Sequence, residues 1–286
     1  MRTFVALLSL LFVISSYAQI ETVPHQFWNN LSHFNPSYAG LQHEKQAGIM
    51  YEGFRKETFQ HDYQIFYNQK LKKNFGIGIN ANHRASWDQT SEISIPVSYN
   101  WNISGQNHLA IGLAPSFRNY NPAEFYLDSA GNIQSPSRNY FQTHAGVTYH
   151  FKNVYAGFGV RNLHLRSWGD LEAGTWEPHL YGNFSFETPV GSRSVENHPH
   201  TLILSALYTY VNGFNRVDLN ARMQFKNGLN AFIGGRVGSG FTMGTGWDFF
   251  QKLRCLYSIS WQRNNLNNGN NVSHEFSVVY HVTQDD

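Results

Sequence analysis

Phe75-Gly76-Ile77-Gly78-Ile79-Asn80-Ala81-Asn82 sets Phe75, Ile77, Ile79 and Ala81 on one side and Gly76, Gly78, Asn80 and Asn82 on the other. Successive side chains of a strand point to opposite faces, so this period of two is a strand with one apolar and one small or polar face. The pattern extends both ways. Upstream, Ala47, Ile49 and Tyr51 alternate, then Tyr63, Ile65 and Tyr67. Downstream, Ile93, Ile95, Val97, Tyr99 and Trp101 oppose Glu92, Ser94, Ser98 and Asn100. It continues through Phe141–Phe151, Leu202–Tyr210, Val217–Phe225 and Leu253–Trp261 to Val272–Tyr280. This gives about fourteen strands, an even number of the kind that closed bacterial barrels use.

Composition fits such a barrel. Charged residues make up 14% of the 286 and aromatic residues 16%, against roughly 25% charged in a soluble domain. The mean hydropathy of −0.42 is that of a soluble chain, but a transmembrane barrel turns only every second residue to lipid. The net charge of +2 and the lack of a Lys/Arg run argue against nucleic acid. Cys255 is the single cysteine, so no intramolecular disulfide can form.

Two regularities favour a membrane barrel over a soluble sandwich. Tight turns follow even strands, as at Lys72-Lys73-Asn74, Ser104-Gly105-Gln106, Lys152-Asn153 and Lys226-Asn227-Gly228. Longer loops, such as Tyr120–Asn139 and Leu165–Glu177, follow odd strands, the outer-membrane pattern of short periplasmic turns and long outer loops. Thr188–His200 is long where a short turn is expected. Aromatic residues also gather near the tight-turn ends of the apolar faces, among them Tyr67, Trp101, Tyr149, Phe151, Trp247, Phe249 and Tyr280. Amphipathic rings prefer the membrane interface, so they read as a girdle.

The expected organisation has three parts: a secretory signal over residues 1–18, an N-terminal periplasmic, plug or docking segment over 19–44, and an all-β transmembrane antiparallel barrel over 45–286. Arg2, the apolar stretch Phe4–Ile14 and the small residues around Ala18 make the signal, with cleavage near Ala18 and export to the outer membrane. In the second part Phe27, Trp28, Leu31 and Phe34 need a partner surface. That part ends in Asn35-Pro36-Ser37-Tyr38-Ala39-Gly40, a turn in which Pro36 fixes φ and Gly40 permits conformations other residues resist. The turn is expected to fix where the segment re-enters the barrel.

Trp28, the Asn35, Pro36, Tyr38 and Gly40 motif, and the barrel after it resemble the PorP/SprF family of the type IX secretion system. Ser37 stands where that family usually has alanine. The resemblance implies an accessory outer-membrane barrel that helps export or anchor large surface proteins, gliding adhesins among them, by binding their C-terminal sorting domains. It implies as partners the C-terminal domain of a secreted surface protein, a periplasmic type IX machinery component and outer-membrane lipid. It implies no enzyme. The chain departs from many barrels in lacking a terminal aromatic, since Tyr280 is followed by His281–Asp286.

No cofactor, metal or catalytic motif is read. His198-Pro199-His200 and His274-Glu275 are the densest histidine spots, but neither puts several ligands on one face of one element. No Gly-x-Ser-x-Gly elbow occurs. The inward charges are more telling: Arg216, Asp218, Arg222, Lys226, Arg236, Asp248, Arg254 and Glu275. They either pair with one another across the lumen wall or grip an inserted polypeptide, since buried charges are costly unless paired. Two other classes fit a barrel of this size. A fatty-acid-type transporter also has fourteen strands and an N-terminal hatch with an Asn-Pro-Ala turn, but would want a greasy pocket. A general porin would lack a plugging segment.

Overall fold

The computed structural model describes residues 23–55, 60–86, 89–121, 126–127, 133–134, 137–168, 178–190, 200–211, 213–264 and 269–282. The expected signal and cleavage site, and residues 191–199 of the long connection after the eighth strand, lie outside them.

Alternation becomes fourteen barrel strands. They are β1 (Lys45–Arg55), β2 (His61–Lys70), β3 (Phe75–Ala85), β4 in two pieces (Gln89–Ser94 and Val97–Ser104) and β5 (Asn107–Asn121). Then come β6 (Arg138–Phe151), β7 (Val154–Trp168), β8 (His179–Val190), β9 (His200–Val211) and β10 (Phe214–Gln224). The last are β11 (Leu229–Arg236), β12 (Gly240–Phe249), β13 (Leu253–Asn264) and β14 (Gly269–Val282). Each pairs antiparallel with its sequence neighbours, and β1 pairs with β14 from Lys45↔Val282 to Arg55↔Val272, which closes the ring. Closure leaves no unpaired edge in the hydrocarbon region, where an unsatisfied backbone group is costly. The pieces of β4 meet at Ile95-Pro96, and the ladder carries on around the break. Gly78 N donates to Pro96 O at 2.8 Å and Ile95 N to Pro115 O at 3.0 Å.

The tight-turn end carries the connections 71–74, 105–106, 152–153, 225–228 and 250–252. The other end carries the longest connection, 122–137, which holds a small hairpin of Tyr126–Leu127 and Ile133–Gln134. It also has short connections, at 212–213 and 237–239, so turn length alternates less strictly than the sequence suggests. On the outer face Tyr67, Tyr99, Trp101, Tyr149, Phe151, Trp247, Phe249 and Tyr280 are exposed near the tight-turn end. A second outward band lies nearer the other end, with Phe117 opposite Phe141 and Phe241 stacked on Trp261 at 6.2 Å. Two such bands are the girdles of an outer-membrane barrel.

The inner face is largely polar with apolar patches such as Met50, Phe66 and Val279, and residues 23–40 lie against it, almost all buried. They form two short 3₁₀ helices, Phe27–His33 and Pro36–Tyr38. The largest apolar cluster lies between this segment and the wall: Val23, Phe27, Leu31, Phe34 and Tyr38 against Tyr181 of β8 and Leu207 of β9. Burying each such side chain contributes about 1.5–3 kcal/mol, so a 3₁₀ segment with few internal hydrogen bonds gains its order from the wall.

Candidate functional site

The Asn35–Gly40 run lies inside the lumen, flat against a row of small residues. Gly76 of β3, Ser98 of β4, Gly112 of β5, Gly146 of β6 and Gly159 of β7 stand directly opposite one another from strand to strand. The segment runs along that row, from Phe34 at Gly159 to Ala39 at Gly76. A Cβ on Gly76 would stand 1.8 Å from Ala39 O, and one on Gly112 would stand 2.3 Å from Ser37 N. At Gly146 it would stand 2.0 Å from Asn35 Oδ1, and at Gly159 2.4 Å from Phe34 O. Only glycine lets two backbones approach this closely. Where the row has a side chain, it is used: Ser98 Oγ donates to Ala39 O at 2.6 Å.

Asn35 caps the second 3₁₀ helix and ties it to the wall. Its Oδ1 accepts from Ser37 N at 3.1 Å and from Ser37 Oγ at 2.7 Å. Its Nδ2 donates to Val147 O at 3.1 Å and Thr148 Oγ1 at 3.0 Å, with Asn183 Oδ1 at 3.4 Å. Aspartate could not donate these bonds, which is the chemical reason for an amide here. Pro36 starts the helix at N1, where a missing N–H costs nothing. Tyr38 OH accepts from Asn183 Nδ2 at 2.5 Å, and burial pushes its phenol well above the ordinary tyrosine range. Gly40 has φ +65°, and a Cβ there would lie 2.7 Å from Gln69 O. Ser37, where alanine was the expected family residue, places its hydroxyl 2.7 Å from Thr148 Oγ1.

The first half of the segment reads the other side of the barrel. Gln26 N lies 3.2 Å from both Glu275 carboxylate oxygens, and Gln26 Nε2 donates to Ser258 Oγ at 3.0 Å. Asn29 Nδ2 donates to Ser277 Oγ at 3.1 Å, while Gln46 Nε2 donates to Asn29 O at 3.1 Å. Arg236 Nη2 donates to Val23 O at 3.1 Å. His25 lies 2.9 Å from Thr242 Oγ1 and 2.8 Å from Gln262 Nε2. Burial, then the Arg236 guanidinium, pull the His25 imidazole down to about 3. Burial and His281 pull His43 to about 3 as well.

Most of the inward charges named from sequence make contacts within the chain. Asp218 pairs with Arg216 at 2.9 Å and Arg236 at 2.8 Å, and Asp248 pairs with Arg254 at 2.8 Å. Arg236 and Glu275 also hold backbone atoms of the N-terminal segment. Arg222 forms no such pair among the described residues; its guanidinium lies 5.8 Å from the Trp28 ring. Lys226 is exposed in the turn after β10.

A second charge cluster was missed. Glu92 of β4 accepts from Arg118 Nε at 2.9 Å, Arg161 Nη2 at 2.7 Å, Ser116 Oγ at 3.0 Å and His144 Nε2 at 2.9 Å. The Asn162 N–H donates to His144 Nδ1 at 3.2 Å, which leaves the ring proton on Nε2 to face Glu92. A bulge in β7 makes this possible: the register shifts between Val160 and Leu163, and Asn162 takes φ +60°. Arg161 Nη1 in turn donates to His33 Nε2 at 2.9 Å, so this cluster too touches the segment. Each charge stood in the sequence on an inward position; the pairing depends on register and bulge, which periodicity does not specify. Among the described residues no group of three or more His, Cys, Asp or Glu could hold a metal ion.

The family model described as "Type IX secretion system membrane protein PorP/SprF" matches residues 16–280. No curated protein matches the chain. Among solved structures, the Pseudomonas putida toluene transporter TodX is similar at 9% identity, covering 88% of this chain and 92% of that one, with a TM-score of 0.48. A Pseudomonas aeruginosa FadL homologue is similar at 9% identity over 86% and 92%, TM-score 0.48. The KdgM porin is similar at 8% identity over 82% and 98%, TM-score 0.39.

Proposed function

The chain belongs to the PorP/SprF family of type IX secretion membrane proteins, and we propose that it is an accessory outer-membrane barrel that helps export or anchor large cell-surface proteins by binding their C-terminal sorting domain. The carrying observation is the family match over residues 16–280. The lumen supports the reading in a specific way. Its wall already holds a polypeptide, its own segment, through side-chain hydrogen bonds to backbone atoms such as Val23 O and Gln26 N. A wall built to bind main chain in this manner suits a client polypeptide better than a small solute. The expected partners are the client's C-terminal domain, a periplasmic machinery component at the tight-turn end and outer-membrane lipid around the girdles. An open porin fits less well, because residues 23–40 occupy the lumen. A transporter of greasy ligands fits less well, because the inward apolar side chains of β8 and β9 are covered by the chain's own segment and many of the other inward positions carry Ser, Asn, Gly or charge.

The test is gene deletion followed by an inventory of surface proteins. Loss of one or a few large surface proteins with unchanged uptake of small solutes is the expected result. An unchanged surface inventory with altered solute uptake would replace this reading with a transport role.

A further inference from the structure

Arg222 is a lumen-wall cation that no carboxylate pairs within ion-pair distance among the described residues. It is 7% exposed, and its Nε and Nη1 meet no hydrogen-bond partner among the described residues. Two further orphaned ring nitrogens belong to the same region. Trp28 Nε1 is buried without a partner, and the Trp28 ring lies 5.8 Å from the Arg222 guanidinium carbon. His43 Nδ1 is also buried without a partner. The nearby carboxylates do not satisfy Arg222. Asp248 has both oxygens engaged, Oδ1 by Arg254 and Oδ2 by Gln224 and Arg254. Glu187 acts on Arg222 electrostatically but makes no hydrogen bond to it among the described residues. The other titratable groups facing this end of the lumen are Arg254, His43 and His281; Arg222 and Arg254 are matched in charge by Asp248 and Glu187, so what Arg222 lacks is hydrogen-bond acceptors rather than counter-charge.

A buried guanidinium with two empty donor sites is destabilising unless something occupies it. Trp28, His43, Gln224 and Arg254 around it are half-buried and Lys226 in the adjoining turn is exposed, while the unpartnered donor atoms themselves are covered, so a ligand coming from the tight-turn end reaches them by displacing these side chains.

We propose that Arg222 and Trp28 form a receptor for a carboxylate carried by a polypeptide that enters the lumen from the tight-turn end. The proposal rests on the reading that the barrel holds a client polypeptide, and it names the client group that the wall recognises. Guanidinium–carboxylate bonding is charge-assisted and about twice as strong as a neutral hydrogen bond. The indole N–H adds a neutral donor and its ring face holds the guanidinium in place. One ligand thereby touches both the wall, at Arg222, and the N-terminal segment, at Trp28.

The experiment uses the mature barrel in detergent and a Gly-Ser hexapeptide bearing a neutral fluorophore, followed by fluorescence polarisation. Three probes are compared: the free C-terminal carboxylate, the C-terminal amide, and the amide with one internal Asp. Either carboxylate probe should bind at least tenfold more tightly than the plain amide, and which one does so tells a chain terminus from an acidic side chain. Arg222→Gln should remove that difference. Equal binding of all three probes, or binding of none, overturns the proposal. So does displacement of the acid by inorganic phosphate at equal concentration, because the site would then select charge and not carboxylate. Arg222→Met gives a reading without any ligand: if the donors are unfilled in the free barrel, this variant should denature at the same or a higher temperature. A lower temperature would mean that the barrel itself satisfies the guanidinium, and would overturn the proposal. Surface inventories separate this from the broader reading. A chromosomal Arg222→Gln that loses carboxylate binding while surface proteins persist keeps the site and removes the secretion role. Loss of surface proteins on gene deletion with no carboxylate preference in the pure barrel does the reverse.

Discussion

The Cβ that Gly146 lacks would stand 2.0 Å from the side-chain oxygen of Asn35. One residue is on a wall strand and the other is in the segment laid across it, so neither can change without the other. Gly146→Ala should displace the Asn35 side chain at a cost of about 1–3 kcal/mol, the usual penalty of overpacking. Asn35→Ala should weaken docking by roughly 1 kcal/mol for each hydrogen bond lost. The double variant should lose less than the sum, because removing the amide removes the clash. Protease sensitivity of the N-terminal segment reads all three; strict additivity would mean that the two residues do not meet.

Glu92 gathers Arg118, Arg161 and His144 in the buried wall. Glu92→Gln would leave two buried guanidinium groups without a counter-charge. A loss on the order of 3–5 kcal/mol in barrel stability is expected from breaking a buried pair on one side. Arg84→Ala removes one partner of the partly exposed pair with Asp62, and should cost under about 1 kcal/mol. Heat modifiability on gels ranks the two; equal effects would contradict the burial argument.

Acid should release the segment. His25 and His43 are held neutral, each pulled from 6.5 to about 3. An undocked segment returns its imidazoles to water and toward 6.5. Below that pH the undocked state binds more protons, so docking weakens as pH falls. Its contribution is intact above pH 6.5 and is eroded between 6.5 and about 3. Limited proteolysis across that range should show cleavage rising on acidification, and His25→Asn should shrink the rise. Release on raising the pH instead would reverse the sign and refute the account.

Removing residues 19–44 should open the lumen. Liposomes carrying the shortened barrel should pass small sugars faster than those carrying the whole mature chain. Unchanged leakage with loss of surface proteins in the cell would assign the segment to docking rather than closure.

The strands were legible because lipid on one side and a polar lumen on the other impose a strict period of two. The Phe75–Asn82 alternation, the strand number and the aromatic girdle near Tyr280 all follow from that. Legibility stopped where a contact needs the ring closed. Glu92 and Arg161 are 69 positions apart, and only the β7 bulge at Asn162 brings His144 into line with them. The glycine row was half visible. Gly76, Gly112, Gly146 and Gly159 each sit on an inward position, and inward glycine in a strand signals close approach of another backbone. That they stand level with one another is a matter of register.

The docking of the segment also dictates an order of events. Gln26 lies near the start of the chain, yet its main-chain and side-chain bonds go to Glu275 and Ser258, 249 and 232 positions later. Asn29, through Ser277 on β14 and Gln46 on β1, touches both strands that close the ring. Gln26 and Asn29 therefore lack these partners until the last strand is in place. Phe34–Ala39, whose partners lie on β3–β7, can settle earlier, so the segment seats in two stages and its leading half closes last, as a latch across the β1–β14 seam.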